Sequence, residues 1–159
     1  MRQEKKVLAC VDKSEYATHV ADYAAWAAAQ LSAPIELLHV IDRHSEIAAD
    51  VDRSGSIGVD AQENLLERLS QEEGERSKVI REQGRVFLNQ LRTRCETHMG
   101  LQTDTRQRYG QLLATLREQE SSVAMYVLGR KGESASHTRR DLGRHVEAIC
   151  RQIRRPIMT

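Results

Sequence analysis

The chain has 159 residues, enough for one domain with a substantial hydrophobic core. Its formal net charge is +1 and 4% of its residues are aromatic, so neither a basic field nor a stacking platform for nucleic acid is predicted. No apolar run approaches the roughly 20 residues of a membrane span, and the apolar run near the N-terminus is too short for a signal peptide. The three cysteines lie in separate segments, which favours reduced thiols in a cytoplasmic protein over a disulfide framework.

The first forty residues have the pattern of a strand–helix–strand unit. Lys6–Val11 and Ile35–Ile41 are continuous apolar runs, typical of parallel strands covered by helices on both faces. Between them the spacing predicts a helix that is capped by Ser14 and stopped before Pro34. The residues expected to form its buried stripe are Val20, Ala24, Ala27 and Leu31, with Tyr23 and Trp26 on the flanks.

The middle of the chain has a weaker pattern. Residues 43–60 contain two glycines and several small or acidic side chains, so we expect an exposed loop. Ala61–His98 has helical periodicity but is polar in its middle, where Gly74 lies. One uninterrupted helix is possible, and we favour a break near Gly74. The expected apolar patches on its two sides are Leu65, Leu66 and Leu69, then Val79, Ile80, Phe87 and Leu91.

The last third alternates strands and helices again. Leu101–Arg108 is polar and alternating, which predicts an edge strand, and Gln111–Glu120 is an amphipathic helix. Val123–Leu128 is an apolar strand. Pro156–Thr159 begins a further short strand, which would join a neighbouring subunit or belong to a longer polypeptide. The residues expected on the buried face of the helix between these strands are Val146, Ile149, Cys150 and Ile153. The whole pattern predicts a doubly wound α/β sheet.

A glycine-bearing loop follows the strand Val123–Leu128, with Gly129, Gly132 and Gly143 before the last helix. Glycines that adopt positive φ or leave their N–H groups uncovered, together with a helix N-terminus, form a candidate phosphate site. Ordinary turn chemistry explains the same glycines. Ligands of such sheets bind beyond the carboxyl ends of strands where strand order reverses. If the first and fourth strands are neighbours, Asp12 and Gly129 face one crevice, where Asp12 would accept hydrogen bonds from ribose hydroxyls or an amine.

Other candidate sites have weaker patterns. The chain lacks GxxxxGK[ST], a GxGxxG after the first strand, and GxSxG. Cys95 and His98 are two residues, too few for a zinc site. We expect Cys10 and His39 to pack in the core. The arginines expected to complement a helix C-terminus rather than contact phosphate are Arg151, Arg154 and Arg155.

The chain resembles the universal stress protein family. VLACVDKSE, the alanine-rich helix and APIELLHVID are close to that family's opening block, and YGQLLATLRE, VAMYVLG and a Pro near the last strand match its second half. The resemblance implies a five-stranded parallel, Rossmann-like sheet in the order 3-2-1-4-5 over the whole chain. It also implies dimers, often through the last strand, and a cytoplasmic, stress-linked regulatory role without a clear catalytic reaction. Many members bind ATP.

The resemblance also implies specific site residues. Nucleotide-binding members carry G-x2-G-x9-G followed by Ser or Thr, whereas the spacer here has ten residues and Gly143 is followed by Arg144 and His145. The ribose would lie at Asp12, and the adenine at Val40 with Leu128 beside it. The base and ribose half of the site is therefore kept, and the phosphate half is altered.

Arg144 has two interpretations. A cation in the first turn of a helix is unfavourable by about 0.3–1 kcal/mol, and a bound phosphate would reverse that sign. Alternatively, Asp141 or Glu133 neutralises it and the loop is closed without a ligand. Between Gly129 and His145 there are five Arg or Lys residues against two Asp or Glu, which favours the anion.

Three functions follow. The leading hypothesis is a non-catalytic regulatory domain with an altered phosphate loop, working as a homodimer or one half of a tandem pair beside an unknown regulatory protein. The second is an ATP-binding sensor with no metal site. The third is a slow ATPase of a related α/β family. The sequence shows no evident general base, which counts against this third hypothesis.

Overall fold

The computed structural model describes residues 5–42, 59–132 and 144–159, excluding the side chains of 59–66 and 144. A 3₁₀ turn at Glu120–Ser122 leads into the fourth strand. The elements in chain order are β1 (Lys6–Cys10), α1 (Ala17–Leu31), β2 (Ile35–Ile41), α2 (Val59–Met99), β3 (Thr103–Tyr109), α3 (Leu112–Gln119), β4 (Val123–Leu128), α4 (Arg144–Gln152) and β5 (Ile157–Met158).

The five strands form one parallel sheet in the order β3-β2-β1-β4-β5, which confirms the predicted fold class and strand order. β1 lies in the centre between β2 and β4, with Cys10 in register with Leu38 on one side and Leu128 on the other. Strand order therefore reverses between β1 and β4. The polar strand β3 lies at one edge, as its alternating pattern predicts.

The two faces of the sheet carry separate hydrophobic cores. Alternate residues of β1 divide between them: Val7 and Ala9 face α1 and α2, and Leu8 faces α3 and α4. On α1 the buried stripe consists mainly of alanines, which lets the helix backbone approach the sheet closely. On the other face, Leu116 and Ile149 fill the core below α3 and α4.

The start and end of α1 differ from the prediction. Ser14 is not its cap, because the helix begins at Ala17 and its N-cap is Tyr16 without a side-chain cap. The backbone N–H of Ser14 instead donates to Asp12 Oδ1 at 3.1 Å, so a turn at Asp12 precedes the helix. Leu31, expected to be buried, is 49% exposed because it ends the helix just before Ser32 turns the chain with φ of 48°.

The break that we favour near Gly74 is wrong, since α2 is a single helix of 41 residues. Strong helix formers surround Gly74, and one interior glycine costs a helix only about 1 kcal/mol. Residues 67–76 are all exposed. Within residues 67–99 of α2, the buried positions are Gly84, Leu88, Leu91 and Cys95.

The remaining elements confirm most of the predicted boundaries. The predicted loop at 43–60 falls mainly on residues 43–58, outside the described residues, and its last two residues begin α2. Cys150 is exposed, so its place on the buried face of α4 is a wrong prediction. β5 pairs in parallel with β4, and the register partners are Tyr126 with Ile157 and Val127 with Met158.

Candidate functional site

The carboxyl ends of β1 and β4 meet at one edge of the sheet, and the glycines there are surrounded closely. A Cβ atom added to Gly132 would lie 2.8 Å from Asp12 Oδ2, and one added to Gly129 would lie 3.2 Å from the Lys131 carbonyl oxygen. Among the described glycines, only Gly100 and Gly110 have positive φ. The chain therefore uses Gly129 and Gly132 for their lack of a side chain rather than for a left-handed backbone. Asp12, Gly129 and Gly132 therefore lie together where strand order reverses between β1 and β4, and we call this crevice the β1–β4 cleft.

Asp12 is held at the mouth of this cleft by its own turn. Its Oδ1 atom accepts the backbone N–H of Ser14, and its Oδ2 atom faces Gly132. The carboxylate is half-buried, so it is fixed in direction and still reachable from solvent. A carboxylate in this position can accept hydrogen bonds from a ligand hydroxyl or amine.

His39 supports the turn from within the core, a role that sequence analysis missed. Its Nδ1 atom lies 2.9 Å from the Val11 carbonyl oxygen, and because a carbonyl only accepts, Nδ1 carries the proton. The His39 ring contacts Phe87 edge-on with centroids 5.7 Å apart. The buried imidazole therefore fixes the peptide that immediately precedes Asp12. The expectation of core packing for His39 is confirmed, but an apolar strand pattern carries no signal for this bond.

Val40 and Leu128 lie on the α3 and α4 side of the sheet. Leu128 is buried, and Val40 is half-buried against the same core cluster. Cys10 lies in register between Leu38 and Leu128 and packs on that cluster, which confirms it as a core residue. Burial raises the pKa of the Cys10 thiol far above its usual range, so it remains a neutral thiol rather than a nucleophile.

The far half of the glycine loop is only partly described. Gly143 lies outside the described residues. Arg144 is the first residue of α4, and its side chain lies outside them as well. His145 is exposed on the first turn of α4. The structure thus brings Asp12, Gly129 and Gly132 together, and the roles of Arg144 and His145 stay predictions.

A cavity of about 560 Å³ adjoins Gly129 on the side of the sheet that faces α1. Lys131 and Arg130 place cationic side chains at its wall beside the aromatic rings of α1. The cavity wall includes neither Asp12 nor Val40, so it borders the cleft rather than filling it. The residues that line it are Tyr16, His19, Val20, Tyr23, Val127, Leu128, Gly129, Arg130, Lys131, Met158 and Thr159. Sequence analysis missed Tyr16, His19, Val20 and Tyr23 as site residues, since it assigned Val20 to the buried stripe of the helix and Tyr23 to its flank.

The weaker candidate sites have structural roles. Within the described ranges, no three or more His, Cys, Asp or Glu side chains form a possible metal cluster. Cys95 is buried with a raised pKa, mainly because of desolvation, and His98 is exposed. At the C-terminal end of α4, the backbone N–H of Arg154 and the guanidinium of Arg155 both bond to Glu120. In the described part of the chain, no helix is long and apolar enough to span a membrane.

Comparison with known proteins shows the family to which the chain belongs. The model of the family described as "Universal stress protein family" matches residues 4–158. The chain belongs to the universal stress protein family. It is 30% identical over 155 residues to Universal stress protein Slr1230 of Synechocystis, covering 97% of this chain and 54% of that protein. This member of the family thus spans about half the length of the curated relative that it matches.

Solved structures show the same fold at lower identity. The hypothetical protein MJ0577 superposes with a TM-score of 0.72 at 18% identity, covering 98% of this chain and 94% of that one. The universal stress protein from Archaeoglobus fulgidus in complex with dAMP superposes with a TM-score of 0.58 at 13% identity, covering 98% and 97%. These likenesses show that the chain shares the fold of both solved proteins.

Proposed function

We propose that the chain is a non-catalytic regulatory domain that binds an adenine nucleotide in the cleft between β1 and β4. The observation that supports this most directly is the approach of Asp12 Oδ2 to Gly132, at the carboxyl ends of two adjacent parallel strands. The ribose hydroxyls would donate to Asp12, the base would lie toward Val40 and Leu128, and the phosphate would lie along Gly129 and Gly132.

The charge of the residues after β4 and the ligand of one solved relative support the proposed position of the phosphate. Arg130 and Lys131 lie between Gly129 and Gly132 in the sequence, so two cationic residues separate the two glycines. Guanidinium and ammonium groups are the usual partners of phosphate. The Archaeoglobus fulgidus relative is described as a complex with dAMP, a nucleotide with one phosphate. We therefore propose AMP as the first nucleotide to test, with ADP and ATP beside it.

Titration calorimetry of the purified chain with AMP, ADP and ATP tests this proposal. We expect saturable binding that weakens about 10- to 100-fold in Asp12→Ala, since a hydrogen bond to a charged group contributes about 1.5–3 kcal/mol. Asp104→Ala is the matched control, because it removes an exposed carboxylate near the opposite end of the sheet. Heats indistinguishable from buffer for all three nucleotides, or equal losses in both variants, would contradict the proposal.

The absence of catalysis is tested separately. We expect phosphate release from ATP no faster than in buffer, because we assign no general base to the cleft. Release that depends on enzyme concentration and disappears in Asp12→Ala would favour a slow ATPase instead.

Association with a second domain of the same kind is also a proposal, as is a cytoplasmic location. Within the described residues β5 pairs with β4 on one side, so its other edge is available for a partner strand. The curated relative is nearly twice as long as the aligned segment, which suits a tandem arrangement. The intact mass of the natural gene product distinguishes a tandem chain from a homodimer.

A further inference from the structure

The cavity beside Gly129 has the chemistry of a second ligand site. Its volume of about 560 Å³ lies within the range of about 300–1,000 Å³ that is usual for small-molecule sites. The apolar part of its wall includes Val20 of α1 and Val127 of β4, both of which are buried in the core. Aromatic rings and cationic groups surround this apolar part, and none of the described residues that line the cavity is an aspartate or a glutamate. Such a surface suits a ligand that has a planar ring and a negative charge.

Three side chains of α1 and its N-cap bring rings to the cavity. Tyr16, His19 and Tyr23 line it, and at 100° per residue their positions fall within about 60° of one helix face. Tyr16 and Tyr23 are 40% and 61% exposed. A hydrogen bond to the Glu15 carboxylate raises the pKa of Tyr16, so the hydroxyl of Tyr16 already has a partner and its ring is the part left for a ligand. Aromatic rings of this kind stack on the face of any nucleobase.

Two cationic residues belong to the same wall. Arg130 and Lys131 line the cavity and lie between Gly129 and Gly132 in the sequence, where the proposed function puts the phosphate. Lys131 is half-buried, whereas Arg130 is exposed. Guanidinium and ammonium groups attract the oxygens of phosphate. The stretch of backbone that would hold a phosphate in the β1–β4 cleft therefore also borders the cavity.

Residues 129–132 contact both the cavity and the β1–β4 cleft. A Cβ atom at Gly129 would lie 4.0 Å from Tyr16 Cβ, on the cavity side. A Cβ atom at Gly132 would lie 2.8 Å from Asp12 Oδ2, on the cleft side. Three residues of chain span at most about 11 Å, a length that a ribose and a pyrophosphate can cover. One ligand can therefore place its first ribose at Asp12, its phosphates along residues 129–132 and a further group in the cavity.

We propose that this cavity is a second ring site and that the chain binds dinucleotides, in which the phosphate of one nucleotide is joined to a second nucleoside. The inference rests on the proposed function, since it takes the first nucleoside to lie in the β1–β4 cleft. A mononucleotide leaves the cavity empty. In a dinucleotide, the second base lies against the rings of His19 and Tyr23, and the pyrophosphate lies beside Lys131. The second base itself therefore adds affinity, beyond what a longer phosphate chain adds.

Titration calorimetry of the full chain with three ligands isolates the second base. AMP occupies only the cleft, ADP-ribose adds a second phosphate and a second ribose, and diadenosine diphosphate adds the second adenine. We expect diadenosine diphosphate to bind about 5- to 150-fold more tightly than ADP-ribose, which is the range for stacking one base on an aromatic side chain. Equal affinity for these two ligands, with AMP still bound, would overturn the second ring site without affecting the proposed function. If AMP does not bind either, both proposals fail.

Substitution of Tyr23 tests where the second base lies. We expect Tyr23→Ala to weaken the binding of diadenosine diphosphate at least 5-fold and to leave the binding of AMP unchanged, whereas Tyr23→Phe keeps the ring and should bind as the wild type does. Trp26→Ala is the matched control, because Trp26 is 50% exposed on the same helix and does not line the cavity. Wild-type affinity for diadenosine diphosphate in Tyr23→Ala, or an equal loss in Trp26→Ala, would overturn the proposal. Far-UV circular dichroism of each variant verifies folding.

Discussion

Two glycines in α2 give opposite predictions for the same substitution, because their surroundings differ. Gly74 is exposed and a Cβ there would contact nothing within 4 Å. Gly84 is buried, and a Cβ there would overlap the Gln107 amide nitrogen and lie 3.3 Å from His39 Cδ2. Both positions are helical, so replacing either glycine by alanine gains the same intrinsic helix propensity of about 0.8–1.0 kcal/mol.

The packing around each position decides the net effect. For Gly74→Ala nothing offsets the gain, so we expect the free energy of unfolding to rise by at most about 1 kcal/mol. For Gly84→Ala the side chain of the half-buried Gln107 must move, and the buried His39 ring limits the space. Overpacking of this kind costs about 1–3 kcal/mol, which leaves a net loss of about 1 kcal/mol.

Urea unfolding followed by far-UV circular dichroism measures both variants. We expect the two midpoints to move in opposite directions, with thermal midpoints separated by about 4–8 °C for a net difference near 2 kcal/mol. A loss of stability in Gly74→Ala would mean that α2 is broken at Gly74 after all. Equal gains in both variants would refute the close helix–sheet contact at Gly84.

Two ion pairs give further predictions. Among the described residues, the buried carboxylate of Glu36 pairs with Lys6 at 2.9 Å and with Arg106 at 3.3 Å. Lys6→Met should therefore destabilise the fold by about 3 kcal/mol in urea unfolding, and adding Glu36→Leu should recover most of that loss. On α1, the hydrogen bond from Arg94 holds the pKa of Asp22 below its ordinary value of 3.8. A depressed carboxyl pKa stabilises the fold above the unfolded pKa and loses that effect as pH falls through the folded pKa. The midpoint difference between wild type and Asp22→Asn should therefore be present at neutral pH and vanish in acid; a constant difference would contradict it.

Apolar runs and helical spacing were sufficient to predict the elements of the fold. Strands buried on both faces, such as Ile35–Ile41, leave a continuous apolar signal, and an edge strand such as Thr103–Tyr109 leaves an alternating one. The order of the strands is not contained in either pattern. It came from the resemblance to the universal stress protein family, because pairing partners far apart in sequence leave no local periodicity.

Two of the features that sequence analysis missed depend on competition between neighbouring residues, and one depends on a tertiary contact. Ser14 has the chemistry of a helix cap, but Asp12 competes for the backbone N–H groups of the same turn. Gly74 resembles a breaker, and only the length of α2 shows that its neighbours outweigh it. The positions of Asp12, Gly129 and Gly132 beyond the carboxyl ends of β1 and β4 were predictable from the apolar runs that precede them. The bond from His39 to the Val11 carbonyl oxygen was not, since a buried polar side chain in an apolar strand does not identify its partner.

The central claim, that Asp12 and Gly132 form one nucleotide cleft, is tested most directly by a double-mutant cycle measured by titration calorimetry with AMP. Since a methyl group at Gly132 would lie 2.8 Å from Asp12 Oδ2, Gly132→Ala should displace the carboxylate. We expect it to weaken AMP binding about as much as Asp12→Ala does, and the double variant to bind no more weakly than either single variant. Wild-type affinity in Gly132→Ala, or losses that simply add in the double variant, would contradict the account.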